Sequence, residues 1–152
     1  MELAPILVSV YNREKHFVKC IESLKQCNLS KNSHLFIAID YPINDSDIES
    51  NKRIIDYSRK IKGFKEITLI IRSTNFGAHK NIQDAKKIIF SKYDKLIFSE
   101  DDNIFAKNFL VNINKCLDIY KNRKDILSVS GWNMPFKFPK NYKNEIYIWQ
   151  GF

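Results

Sequence analysis

Residues 95–110 read K-L-I-F-S-E-D-D-N-I-F-A-K-N-F-L and combine a strand signal, an acidic cluster and a helix signal. The apolar run L-I-F is typical of a short parallel strand that is buried on both faces. Apolar residues at helical spacing follow over 105–117. Between the two lie Glu100, Asp101 and Asp102. A strand that ends in carboxylates and leads into a helix predicts that these acids lie at the carboxyl edge of an open α/β sheet, where such folds bind ligands.

The three adjacent acids allow two interpretations, and the residues alone leave both open. Carboxylates in close succession repel one another, and a hard cation with oxygen ligands would relieve that repulsion. Alternatively, Asp102 or Asn103 caps the following helix and the other acids are solvated. The first interpretation predicts a divalent-cation site, and the second predicts only a helix start.

Strand and helix signals alternate along the whole chain. We predict strands at 5–11, 34–39, 67–71, 96–98, 126–130 and 146–149. Helices are predicted between them, with Ile48 facing inward in the second helix and Ile88 in the third. Gly63 is expected to end the second helix. This alternation, without a repeat or a linker, predicts an α/β fold with a doubly wound, mainly parallel, Rossmann-like sheet.

Length and composition exclude several classes of protein. The chain has 152 residues, of which 44% are hydrophobic, so we expect one globular domain with a single core. No apolar run is long enough to span a membrane, and the N-terminus lacks the features of a signal peptide. The three cysteines lack metal-type spacing, which favours reduced thiols and a cytoplasmic location.

The net charge of +8 favours an anionic partner. The basic residues are spread over the predicted helices and form no Arg-rich arm, so nucleic-acid binding is not expected. A small anionic ligand fits this distribution. Peripheral contact with an acidic membrane surface through the basic surface is a second possibility.

Polar residues gather at the predicted strand ends. Because the carboxyl ends of parallel strands meet at one edge, we expect these side chains to surround one crevice. Arg13 and Arg72 could pair with phosphate, and Asp40 could accept hydrogen bonds from a base or ribose. A divalent cation could bridge the acids and a diphosphate. The candidate nucleotide-binding residues are Tyr11, Arg13, Asp40, Arg72, Asn75, Gly77, His79, Glu100 and Asp101.

Each of these residues also has an ordinary structural explanation. Tyr11 could be a half-buried strand residue, and Arg13 a solvated residue in the first helical turn. Asp40 could form a turn before Pro42. Gly77 could provide only the bend into a helix, with His79 on the surface. Their joint placement at one sheet edge favours the ligand site, because packing alone does not require polar residues at four of five strand ends.

The chain resembles, over nearly its whole length and in order, the donor-binding half of GT-A-fold glycosyltransferases. The motifs that carry the resemblance are P-I-L-V-S-V-Y-N-R, I-A-I-D, N-F-G-A-H-K-N, the E-D-D segment and L-S-V-S-G-W-N. The similarity is to the family-2 type and, through E-D-D and S-G-W-N, to the N-acetylglucosaminyltransferase I type. It implies an inverting transfer from a nucleotide-diphosphate sugar, with UDP as the expected nucleotide.

The resemblance also implies residue roles. It makes Asp102 the direct ligand of Mn²⁺ or Mg²⁺, with Glu100 and Asp101 supporting it and facing the donor sugar and ribose. It makes Arg13 and Asp40 contacts of the uracil nucleotide. It places His79 and its loop near the donor.

In such enzymes the catalytic base and the acceptor site lie in a second half. We therefore expect residues 1–152 to be the N-terminal, nucleotide-sugar-binding domain of a longer glycosyltransferase that acts on a glycan or lipid-linked acceptor. No catalytic base can be named, although Asp45, Asp47, Asp101 and Glu145 would be the candidates if the chain were active alone.

Three further expectations concern residues 1–152 when they are considered alone. The aromatic end at 147–152 could cause self-association. A non-catalytic fragment that binds nucleotide weakly is one alternative function. A Mg²⁺-binding receiver-type signalling module is another, and it is disfavoured because Tyr-Asn-Arg stands where that fold needs acids after the first strand.

Overall fold

The computed structural model describes residues 2–131. Four strands alternate with four helices along this part of the chain. A single 3₁₀ turn, Ser30–Asn32, precedes the second strand. The elements are β1 (Ile6–Val10), α1 (Glu14–Lys25), β2 (His34–Ile39), α2 (Asp45–Ser58), β3 (Glu66–Ile71), α3 (Ala78–Phe90), β4 (Ile97–Glu100) and α4 (Phe109–Ile119).

The four strands form one parallel sheet in the order β3-β2-β1-β4. The chain moves outward from β1 to β2 and β3, and then returns to place β4 on the other side of β1. The register pairs Val10 with Ile39 and Ser9 with Glu100, so the carboxyl ends of β1, β2 and β4 lie side by side. The predicted doubly wound parallel α/β fold is thereby confirmed. Its order reverses at β1, and such a reversal is where open α/β sheets form a ligand crevice.

One face of the sheet carries the larger part of the core. Side chains of β1, β2 and β4 that point to this face pack against α1, α2 and α4. Phe17 of α1 is fully buried there, and its ring meets Tyr57 of α2 edge to face with centroids 5.8 Å apart. The amphipathic spacing of α1 places its four buried residues on this one stripe (Phe17, Cys20, Ile21 and Leu24).

The opposite face is covered by α3. Leu7, Phe36 and Ala38 point to this side because adjacent strand residues alternate between faces. Ala85 and Ile89 of α3 complete this smaller cluster. α3, the helix that covers this face, begins at the carboxyl edge of the sheet, directly beside the crevice.

Two predictions about apolar residues in helices were wrong. Ile48 is 51% exposed and Ile88 is 41% exposed. Each lies beside the stripe that its helix buries, which runs through Ile54 in α2 and through Ala85 in α3. α2 also ends at Ser58 rather than at Gly63. Gly63 does take a left-handed conformation, with φ of 101°, but it does so in the loop that leads to β3.

The predicted fifth strand at 126–130 is not a strand in the described part of the chain. Its β-branched residues raise strand propensity, but a strand also needs a paired neighbour, and the described sheet comprises β1 to β4. Leu127 is fully exposed, whereas Val129 packs against the core. Phe98, expected to be buried in β4, is 38% exposed. The predicted strand at 146–149 lies outside the described residues.

The three cysteines, Cys20, Cys27 and Cys116, are free and buried. Burial raises the pKa of the Cys20 thiol to about 12, so this side chain is a protonated core residue.

None of the helices between residues 2 and 131 is both long enough and apolar enough to cross a membrane.

His34 is the first residue of β2 and therefore lies at the amino ends of the strands, opposite the crevice. Its Nδ1 lies 2.9 Å from the Tyr93 hydroxyl, and its Nε2 lies 2.8 Å from the Thr68 hydroxyl. The imidazole stacks on Phe36 at 4.0 Å between centroids. Burial lowers the pKa of His34, and this effect outweighs the opposing attraction of Glu66. The fold therefore favours the neutral imidazole.

We expect stability to fall on mild acidification, in part through His34. The pKa of His34 is lower in the fold than its ordinary value of 6.5, so the unfolded chain takes up the proton first as pH falls. The stabilisation is complete above pH 6.5 and is lost as pH falls through the folded pKa. Besides Glu66, Lys65 and Lys92 face this ring, and both disfavour its charged form.

Urea unfolding at several pH values between about 5 and 8 tests this expectation. His34→Gln should flatten the pH dependence of the midpoint, because the amide does not titrate. The same substitution at exposed His16 is the control. Equal slopes for both variants and the parent chain would contradict the assignment.

Candidate functional site

A cavity of about 320 Å³ opens at the carboxyl edge of the sheet, where the strand order reverses. Its walls come from the ends of β1, β2 and β4, from the loop before α3 and from the first turns of α3. The predicted site residues that line it are Tyr11, Arg13, Asp40, Asn75, Gly77, Glu100 and Asp101. Arg72, His79 and Asp102 are not among the lining residues.

The acidic cluster is held by Arg13. Asp101 is 3% exposed, and its two carboxylate oxygens accept hydrogen bonds from the Arg13 guanidinium. Nη1 of Arg13 also donates to Asp102 Oδ2 at 3.0 Å. The hydrogen bonds that Arg13 donates to Asp101 raise the pKa of the guanidinium. An internal cation therefore neutralises part of the cluster, and the loop after β1 is tied to the loop after β4.

The fit of the site to a divalent cation follows from these contacts. Within the described residues, no group of three or more His, Cys, Asp or Glu side chains is placed to hold a metal ion. The Asp101 carboxylate is committed to Arg13, whereas Glu100 and Asp102 are exposed. Mg²⁺ is usually held by one or two carboxylates together with phosphate and water. The residues thus fit a cation shared with a bound diphosphate better than a cation held by protein alone.

Asp40 combines a place in the cavity wall with a structural task. It is 4% exposed, and its Oδ1 accepts hydrogen bonds from the backbone N–H of Tyr41 and of Phe76, both at 2.9 Å. These bonds fix the turn after β2 and tie it to the loop before α3. The fold thus uses the Asp40 carboxylate, as the turn interpretation of the sequence expects, and its role toward a ligand stays a prediction.

Tyr11 is held in the wall by Asp47 of α2. Its hydroxyl donates to Asp47 Oδ2 at 2.8 Å and accepts from the backbone N–H of Ile43 at 2.9 Å. Asn12 donates to the other Asp47 oxygen at 2.8 Å. These hydrogen bonds, that from Asn12 first, lower the pKa of Asp47. A carboxylate stabilised in its charged form is a weak base, so Asp47 does not suit the role of catalytic base.

Asn75 and Gly77 shape the loop that leads into α3. Asn75 Nδ2 donates to the carbonyl of Tyr41 at 2.6 Å, and its Oδ1 accepts from the N–H of Gly77 at 3.0 Å. Gly77 has φ of 73°, a conformation that other residues adopt at a cost, and open space surrounds the position of a Cβ there. Backbone conformation rather than crowding therefore explains the glycine. His79, in the first turn of α3, is exposed.

Sequence reasoning missed two buried asparagines beside the cavity. Asn81 of α3 is 1% exposed, lines the cavity and donates to the carbonyl of Ala38 at 3.3 Å. Asn51 of α2 is 5% exposed and donates to the carbonyls of Asp40 and Tyr11. The sequence did contain a signal for these two buried asparagines. Each asparagine lies in phase with the buried stripe of its helix, where a polar residue needs an internal partner.

Comparison with known proteins gives the fold but no closer relationship. No family model matches this sequence, and no curated protein matches it. Two solved structures of S. aureus TarS are similar in fold, with TM-scores of 0.57 and 0.56, 16% sequence identity and 78% of this chain covered. The chain spans only 20% of the longer TarS chain and 33% of the shorter one, which comprises residues 1–349.

TarS is a glycosyltransferase, and this chain shares the fold of the matched part of TarS. Identity at this level shows the fold alone. The closer resemblance to the N-acetylglucosaminyltransferase I type receives no support from these structures.

Substitution of Asp40 should separate its two roles. Asp40→Ala removes the acceptor of two backbone N–H groups in a buried turn, so we expect a loss of about 1–3 kcal/mol in the free energy of unfolding. Asp40→Asn keeps an oxygen at the same place and should lose less. Urea unfolding of the two variants measures the difference. Parent-like stability of Asp40→Ala would contradict the turn-forming role and favour the ligand-binding interpretation of Asp40.

Proposed function

We propose that this chain is the donor-binding part of a metal-assisted, inverting glycosyltransferase that uses a nucleotide-diphosphate sugar, with UDP as the nucleotide. The observation that carries the proposal is the cavity at the reversal of strand order, with acids at the end of β4 facing Arg13 at the end of β1. Its volume of about 320 Å³ falls at the lower end of the range for small-molecule sites. The glycosyltransferase-like fold supports the same conclusion.

The cavity offers separate surroundings for the parts of a nucleotide. Val10, Ile43 and Ile82 give it an apolar surface suited to a base. Asp40 lies beside this surface and could accept a hydrogen bond from base or ribose. α3 begins at the cavity, and the partial positive charge at a helix N-terminus favours a diphosphate nearby.

In this proposal Asp102 and Glu100 would hold Mn²⁺ or Mg²⁺ together with the diphosphate. The cation would supply electrostatic stabilisation of the leaving nucleotide diphosphate. Arg13 would then be released from Asp102 and could pair with phosphate, for which a guanidinium is well suited. Transfer to a glycan or lipid-linked acceptor additionally needs a base to deprotonate the acceptor hydroxyl. Asp47 and Asp101, both candidates for that base, are each held by hydrogen bonds.

One observation favours a second candidate, a module that binds nucleotide without turnover and without a metal. Arg13 already pairs with both Asp101 and Asp102, and the described residues hold no three-ligand metal group. The two candidates differ in the effect of a divalent cation on nucleotide binding.

Calorimetric titration with UDP, with and without Mn²⁺, tests the proposed function. We expect tighter binding with Mn²⁺, because the cation joins the exposed acids to the diphosphate. Asp102→Asn should remove most of this gain, since the amide keeps the shape of the side chain but loses its charge. Asp118→Asn is a matched control, because Asp118 is an exposed acid that pairs with Lys121 away from the cavity. Equal UDP affinity with and without Mn²⁺ would favour the metal-free binding module.

Arg13→Gln should have opposite effects on two ligands. A unit positive charge a few Å from a cation site opposes metal binding by about 1–4 kcal/mol at dielectric constants between bulk water and a protein surface. The variant should therefore bind Mn²⁺ alone about tenfold more tightly than the parent chain, measured by electron paramagnetic resonance. It should bind UDP more weakly in the presence of Mn²⁺, because a phosphate partner is lost.

The control for this pair of measurements is Arg123→Gln. Arg123 is a similarly exposed arginine paired with Asp125, outside the cavity lining. Unchanged or weaker binding of Mn²⁺ alone by Arg13→Gln would show that Arg13 does not compete with a cation for the acids.

A further inference from the structure

Arg72, directly after β3, does not line the cavity, and its side chain is enclosed by residues of the following loop and of α3. Its side chain is 9% exposed, and Nη1 lies 2.7 Å from Asp84 Oδ2 in α3. Nε donates to Asn81 Oδ1 at 2.8 Å, and Nη2 donates to the Asn81 carbonyl at 3.3 Å. The guanidinium carbon also lies 4.6 Å from the centroid of the Phe76 ring. Each of the three guanidinium nitrogens is thus engaged with α3.

One of these partners lines the cavity, and another is bonded to a residue that does. Asn81 lines the cavity and anchors α3 to the carbonyl of Ala38 in β2. The backbone N–H of Phe76 donates to Asp40, whose carboxylate faces the same cavity. Arg72 therefore links the end of β3 to Phe76 and to α3, and Phe76 is in turn tied to the end of β2.

We propose that Arg72 is a positioning residue: its ion pair with Asp84 holds the loop at 73–77 and the start of α3 against Asp40, and so sets the affinity of the cavity for a nucleoside. This inference rests on the proposed nucleotide function. It assigns Arg72 to the base and ribose wall through Asn81 and Asp40, and not to direct contact with phosphate. It also extends the site to Asp84, an acid that does not line the cavity.

Direct phosphate contact would require Arg72 to leave its partners. Its Nε and Nη2 bonds both end on Asn81, a residue that is 1% exposed. Rotation toward the cavity would leave the buried side-chain oxygen of Asn81 without this donor and would separate the Asp84 ion pair. Arg13, whose side chain is 47% exposed, can exchange its exposed partner Asp102 for another anion while it keeps its bonds to Asp101. The two arginines are therefore suited to different tasks.

Two substitutions distinguish positioning from direct contact. Arg72→Met removes all the donors, and Asp84→Asn weakens the ion pair from outside the cavity. If Arg72 positions the wall, Arg72→Met should raise the Kd of uridine and of UDP by the same factor, about tenfold. Asp84→Asn should raise both by a smaller common factor. If Arg72 binds phosphate, Arg72→Met should weaken UDP alone, and Asp84→Asn should leave UDP binding unchanged or tighten it.

Ser58→Ala is the control for general loss of stability. Ser58 is buried in α2 and donates to the carbonyl of Ile54 at 2.7 Å, remote from the loop before α3. It should lower the melting temperature without changing either Kd. If Arg72→Met likewise lowers the melting temperature and leaves both Kd values unchanged, Arg72 is merely structural and the proposal is overturned.

Hydrogen exchange at the Phe76 amide gives a readout that needs no ligand. This N–H is bonded to Asp40, so release of the loop should speed its exchange in Arg72→Met and in Asp84→Asn, and not in Ser58→Ala. A parent chain that binds neither uridine nor UDP would refute the proposed nucleotide function. Unchanged exchange of the Phe76 amide in both variants would separately refute the positioning role of Arg72.

Discussion

The central position of β1 is the constraint on which the rest of the structure depends. β1 is hydrogen-bonded to β2 on one side and to β4 on the other, and its apolar residues are buried on both faces. Both neighbours are parallel to it, so all three strands deliver their following loops to one edge. Polar residues are tolerated there because the loops leave the core. The site therefore follows from strand order, and the residues after β1, β2 and β4 form it together.

Electrostatics then determines what this edge can bind. Three successive acids after β4 would repel one another, and Arg13 offsets this repulsion for Asp101 and Asp102. The arrangement keeps the loops together without a ligand, and it also makes a cation compete with a guanidinium. Under the proposed function a nucleotide diphosphate would remove that competition, because its phosphates would offer Arg13 new partners and would offer oxygen ligands to a metal. Metal and nucleotide binding should accordingly favour each other.

The sequence was sufficient for the four described strands and for the edge where their following loops meet, because both depend on local patterns. Apolar runs indicate strands, and polar residues directly after them indicate the shared edge. The partners of the site residues could not be predicted in this way. Whether Asp40 accepts a backbone N–H from Phe76 depends on a loop that is 36 residues away in the chain. The segment at 126–130 has strand propensity, but pairing is a tertiary property, and the described sheet does not include it.

Arg13 and Arg72 show why residue type and strand position do not determine a role. Both follow a parallel strand at the same sheet edge, and both were predicted to bind phosphate. Arg13 directly precedes α1 beside the central crevice, where its exposed guanidinium contacts the two acids that follow β4. Arg72 follows β3, the outermost strand on its side of the described sheet, and α3 returns across it with Asn81 and Asp84. The helix that covers the sheet thus converts one strand-end arginine into part of the scaffold and leaves the other facing the cavity.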